Sequence, residues 1–203
     1  MRTRPKGKPY EGYYRHQVTM ISELEHLNET GEIDLYYGDE SHVCSQGYVP
    51  YGWQFPGEDV CIPVEKAYKI NILGFINRQS KYMGMITEHN IGADTVMEYL
   101  EELSFSINKK TALVLDNASV HKSRGIRERI PFRQQRGLFI TFLPPYSPHL
   151  NIAETVWRKL KKEWINPEDY LEKDKLFYAT NRCLAMLGKQ LTIKFSHFNK
   201  NLL

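Results

Sequence analysis

At 203 residues, with 41% apolar and 25% charged residues, the chain has the composition of an ordinary globular domain with a core of its own. No apolar run approaches the roughly 18–20 residues needed to cross a bilayer. The basic N-terminus MRTRPKGKPYEGYY also lacks the apolar stretch of a secretory signal, so a soluble, intracellular protein without a membrane partner is expected. A net charge of +3 demands no polyanionic partner, and three widely spaced cysteines, Cys44, Cys61 and Cys183, suit buried thiols better than a disulfide framework or a zinc site.

Taken in chain order, residues 1–9 are basic, proline- and glycine-containing, and are expected to be disordered. Tyr14, Val18, Ile21, Leu24 and Leu27 recur at three- to four-residue steps and predict an amphipathic helix from Glu11 to about Leu27. A strand over Ile33–Tyr37 should stop at Gly38-Asp39-Glu40, before a turn-rich loop holding Tyr48, Pro50, Tyr51, Gly52, Trp53 and Pro56. Tyr68–Ile76 and Tyr82–Thr87 read as a hairpin, and Ala93–Leu103 as a helix. Thr111–Leu115 is a short, continuously apolar run ending in Asp116-Asn117, as suits a strand buried on both faces. Lys122–Arg136 is expected to be helical, ended or kinked at Pro131; Leu138–Leu143 is a strand stopped by Pro144-Pro145; Asn151–Trp164 and Lys173–Leu187 are helices. Three leading strands suggest an antiparallel meander, and the later alternation suggests parallel crossovers, giving an α/β fold with a mixed five-stranded sheet flanked by helices.

Three acids fall where such a fold delivers side chains to one place. Asp39 follows the first strand, Asp116 ends the central one, and Glu154 lies in the first turn of the helix after the prolines. Crowded carboxylates repel one another and call for hard cations such as Mg²⁺ or Mn²⁺. Each acid also has a plainer explanation. Asp39-Glu40 and Asp116-Asn117 suit turns, and Asn151-Ile152-Ala153-Glu154 resembles a capping box.

The surrounding text separates these alternatives. Tyr36-Tyr37-Gly38-Asp39-Glu40-Ser41, Val114-Leu115-Asp116-Asn117-Ala118-Ser119-Val120-His121, and the run from Leu143-Pro144-Pro145-Tyr146-Ser147-Pro148 through Asn151-Ile152-Ala153-Glu154-Thr155-Val156-Trp157 resemble the signatures of DDE transposases, in particular the bacterial insertion-sequence branch of the mariner superfamily. Val49-Pro50-Tyr51-Gly52-Trp53 is similar to that branch as well, and the likeness covers about Ile33 to Trp164. The stretch from Asn117 to Ala153 between the second and third acids is slightly longer than is most familiar there.

The resemblance implies a ribonuclease H-like fold, a basic arm and helix over residues 1–30 and a catalytic domain over residues 31–203. It implies two Mg²⁺ or Mn²⁺ ions on Asp39, Asp116 and Glu154, with Asp39 bridging both, in an endonuclease that cuts double-stranded DNA at transposon ends and joins the freed 3′-hydroxyl to target DNA. A homodimer is one candidate assembly, and the bacterial nucleoid in the cytoplasm the expected location. Asn117 and His121 are accessory candidates for orienting water or phosphate, with a hydrogen-bonded histidine that structures its loop as the alternative. Arg158, Lys161 and Lys162 lie four, seven and eight positions beyond Glu154, on its face, and are candidates for holding DNA phosphates. Tyr51 and Trp53 are expected to pack their loop, with base stacking as the alternative. Nothing resembles an upstream helix-turn-helix, so a catalytic fragment, a split-frame product or a transposase-derived DNA-binding remnant is expected. A ribonuclease H-like nuclease on other nucleic acids is the competing enzyme reading.

Overall fold

The computed structural model describes residues 11–45, 55–58 and 68–198; the basic arm, the aromatic loop with Tyr48, Tyr51 and Trp53, and Cys61 lie outside them. Helix α1 spans Glu11–Glu29, followed by β1 (Asp34–Cys44), β2 (Lys69–Ile76), β3 (Tyr82–Thr87), α2 (Ala93–Ser106) and β4 (Thr111–Leu115). Then come α3 (Arg124–Glu128), α4 (Ile130–Gln135), β5 (Leu138–Phe142), α5 (Ala153–Lys159) and α6 (Lys173–Ala185). The strands form one sheet in the order β3-β2-β1-β4-β5, antiparallel across the first three and parallel from β1 through β4 to β5. This is the mixed sheet of a ribonuclease H-like fold, with both faces covered by helices.

One strand is longer than its sequence suggests. β1 does not stop at Gly38-Asp39-Glu40 but runs on to Cys44. Its polar second half is held by β2, whose almost wholly apolar KINILGFI is buried along seven of its eight positions and pairs with β1 from Tyr37↔Ile76 to Cys44↔Lys69. A long backbone ladder outweighs the weak strand preference of Asp39, Glu40 and Ser41.

Alternation along the strands sorts the core. Tyr36, Leu73, Phe75, Leu113 and Leu115 pack with Val96 and Leu100 of α2 on one face. On the other, Tyr37 and Val114 meet Val18 and Ile21 of α1, while Val43 and Ile72 meet Val156 and Trp157 of α5 and Leu176 and Leu184 of α6. The region 122–136 is two short helices rather than one, because Pro131 sits in the first turn of α4 and restarts the helix. After α5 the chain widens into a π turn over Leu160–Trp164, closed by Ile165 N donating to Leu160 O at 3.1 Å. That wider turn keeps both Leu160 and Ile165 buried, five residues apart. No helix among the described residues is long and apolar enough to cross a membrane.

Candidate active site

The parallel ladder between β1 and β4 ends at Gly38↔Leu115, and the next residue on each strand is an aspartate, Asp39 and Asp116. By alternation both follow the face carrying Tyr37 and Val114, the face on which α1 and α5 pack. Helix α5 brings in Glu154 from that side, its start anchored by Asn151, whose Nδ2 donates to Gly38 O at 3.2 Å and whose Oδ1 accepts from Ala153 N at 3.1 Å. No side-chain cap closes the helix, so the capping box suggested by Asn151 and Glu154 does not form. Glu154 is exposed instead and, with Asp39, Asp116 and Asn117, lines a cavity of about 440 Å³ walled by residues 143–148.

The charges in this cavity are not balanced. Burial first, then the negative charges of Glu154 and Asp116, push the Asp39 carboxyl up to about 7, although the Trp157 indole N–H donates to its Oδ2 at 3.0 Å. Trp157 reaches that position because the residue paired with Asp39 on β2 is Gly74; a Cβ there would lie 2.5 Å from Trp157 Cη2. Asp116 is the opposite case. Burial acts to raise its pKa, but a hydrogen bond from His121, the Ala118 amide and the charges of His121 and Lys122 hold it below the ordinary carboxylate range.

His121 is fully buried beneath Asp116, its Nδ1 2.7 Å from Asp116 Oδ1 and its Nε2 2.8 Å from Glu40 Oε1, a close charge contact without hydrogen-bond alignment. Burial works against its positive charge, yet the two acids raise its pKa to about 9. It does not face the cavity, so the water- or phosphate-orienting place expected for it is not where it lies. Asn117 does line the cavity, and its side chain ties two segments together, donating to Leu143 O and accepting from Lys122 Nζ.

Of the three DNA-contact candidates on α5 and its π turn, Arg158 and Lys162 are exposed, while Lys161 is half-buried and close to the acids. Burial lowers its pKa, and the charges of Glu154, Cys44 and Asp39 oppose that shift. Sequence reasoning missed Glu40, Trp157 as a donor, and Tyr146. Tyr146 is exposed on the cavity wall with φ +57°, a backbone region uncommon for an aromatic residue.

Among the described residues, the charged groups lining the cavity are carboxylates, and that surplus negative charge suits hard divalent cations, so the residues fit the metals that the motifs imply. Comparison with known proteins agrees with this geometry. The family described as DDE superfamily endonuclease matches residues 34–176. The uncharacterized protein y4pE/y4sA of Sinorhizobium fredii (strain NBRC 101917 / NGR234) is 26% identical over 110 residues, 53% of this chain and 75% of that protein. Among solved structures, the Mos1 transposase paired-end complex with left transposon end is similar with a TM-score of 0.54 at 15% identity, over 94% of this chain. The present chain spans 63% of the length of that transposase. The catalytic core domain of BIV integrase matches 77% of this chain and 84% of its own, with a TM-score of 0.50 at 16% identity.

Proposed function

This chain belongs to the DDE superfamily endonucleases, and from that premise we propose that it is the catalytic domain of a transposase, cutting double-stranded DNA and joining a freed 3′-hydroxyl to target DNA with two Mg²⁺ or Mn²⁺ ions on Asp39, Asp116 and Glu154. One observation carries the reading. Three carboxylates open into one cavity, and among the described residues no cation is hydrogen-bonded to Asp39, whose pKa is dominated by burial and its acidic neighbours. When bound, such an ion pair activates an attacking oxygen and stabilises the leaving one.

The chain's own residues account for the remaining work. Asp39, whose carboxyl feels the charges of both other acids, would hold the ions together with Asp116 and Glu154. Trp157 fixes one Asp39 oxygen, leaving the other to the cavity. Lys161 lies close enough to Glu154 and Asp39 to hold a phosphate beside them, and the exposed Arg158 and Lys162 extend that basic surface outward. Asn117 braces the 143–148 wall. Transposon ends and target DNA are the proposed partners, a homodimer the proposed assembly, and the nucleoid the proposed location.

The direct test is nicking of supercoiled plasmid in Mn²⁺ by the wild type and by Asp116→Asn. The variant should lose activity by at least about 10³-fold, in line with removal of a group that stabilises charge in the transition state. Equal nicking by the two proteins refutes the assignment.

A further inference from the structure

The last pair of the ladder between β1 and β4 is Gly38↔Leu115, one residue before the two aspartates, so Asp39 and Asp116 are not themselves paired. A side-chain connection lies at that point. Glu40, next to Asp39 on β1 but pointing to the other face of the sheet, meets His121 Nε2 at 2.8 Å; His121 Nδ1 meets Asp116 Oδ1 at 2.7 Å. The same oxygen accepts from the Ala118 amide at 2.9 Å. His121 has no exposed surface and sits outside the residues lining the cavity, so it touches neither solvent nor a bound substrate.

Resting on the reading of Asp116 as a metal ligand, we infer that Glu40 and His121 form a positioning strap that links β1 to the segment after β4 just beyond their last pair and turns Asp116 so that Oδ2 faces the cavity. Two tethers on Oδ1 leave one oxygen of Asp116 for a cation, and the link through Glu40 sets how far apart the two acid-bearing strands stand. Groups that orient a ligand in this way affect metal affinity and turnover without touching the metal. A burial site chosen only for packing would not put an imidazole with a carboxylate oxygen within 3 Å of each ring nitrogen, since an apolar side chain of similar size serves packing without the desolvation cost.

The strap separates by its two ends. His121→Asn keeps an N–H near the Nδ1 position but cannot reach Glu40; His121→Ala loses both contacts; Glu40→Ala keeps the imidazole and removes its rear anchor. Mn²⁺ affinity, measured by electron paramagnetic resonance titration on chains shown by circular dichroism to be folded, should fall about 10–100-fold in His121→Ala, with kcat for plasmid nicking falling similarly and KM for DNA little changed. His121→Asn should recover much of that loss, and Glu40→Ala should fall between His121→Ala and the wild type. Wild-type Mn²⁺ affinity and kcat in folded His121→Ala overturn the strap. If His121→Ala does not fold, wild-type Mn²⁺ affinity and kcat in both His121→Asn and folded Glu40→Ala overturn it. Asp116→Asn is the control that keeps the two claims apart. Lost Mn²⁺ binding there, beside unaffected strap variants, refutes the strap alone; retained binding in Asp116→Asn refutes the metal site itself.

Discussion

Glu101 and Asp39 are both carboxylates held firmly by the fold, in surroundings of opposite character. Glu101, on α2, accepts a 2.5 Å hydrogen bond from Arg136, and has Arg133 at 3.4 Å and Arg129 at 3.6 Å, so the Arg136 bond above all holds it below the ordinary carboxylate range. Asp39 has acids for neighbours and a pKa near 7. Around Glu101 the protein neutralises its own charge, and the result joins α2 to the α3–α4 segment. Around Asp39 it leaves charge to be neutralised by something from outside. The first arrangement serves stability; the second lowers stability in the metal-free chain and makes sense only as a receptor for cations.

That contrast can be broken at either end. The largest effect is expected from Asp39→Asn, which should lower nicking by at least about 10³-fold while making the metal-free chain more stable at alkaline pH. The folded pKa of Asp39 lies above its unfolded value of about 3.9, so the folded state holds this proton more tightly. Its contribution to stability is complete below about pH 4 and is lost as pH rises to about 7. Relative to Asp39→Asn, the wild type in a chelator should therefore lose about 2–4 kcal/mol between pH 4 and 8. Parallel urea midpoints for the two proteins across that range would contradict the unbalanced site.

Glu101→Gln should do the reverse. Leaving the fully buried Arg133 short of its counter-charge should cost about 1–3 kcal/mol in urea unfolding, while nicking by the folded fraction stays within about twofold of the wild type. A large loss of activity at unchanged stability would erase the distinction between the two acids. The smallest effect concerns Lys161. Its replacement by alanine should weaken DNA binding modestly and reduce the slope of log affinity against log salt by about 1, as expected for one phosphate contact. An unchanged slope would remove Lys161 from the DNA surface.

Much of this was legible from residue order. The apolar run Thr111–Leu115, the hairpin signals and the prolines after Phe142 gave the strand order and the acid positions, because each is a local signal strong enough to survive tertiary context. The continuation of β1 was not legible. Asp39 to His42 have turn-like composition, and only pairing with β2 makes them a strand. The π turn after Lys159 leaves no mark that periodicity alone can recognise. Glu40 looked like turn composition since its partner, His121, is 81 positions away in sequence and reaches it only through the fold. Trp157 was readable as a buried residue of the helix stripe, but its N–H bond to Asp39 depends on the space left by Gly74.

That glycine carries a consequence for how such genes decay. Glycine and alanine codons differ by a single base, and an added methyl at position 74 would collide with the Trp157 and Tyr82 rings that meet there. Trp157 is buried in the core and has little room to yield, so Asp39 would lose its donor or its aim. On the proposed function, a copy of this gene can therefore fall silent with all three acids still in place. Counting intact acid triads in a genome would overestimate its working elements, and residue 74 is a place to look for the difference.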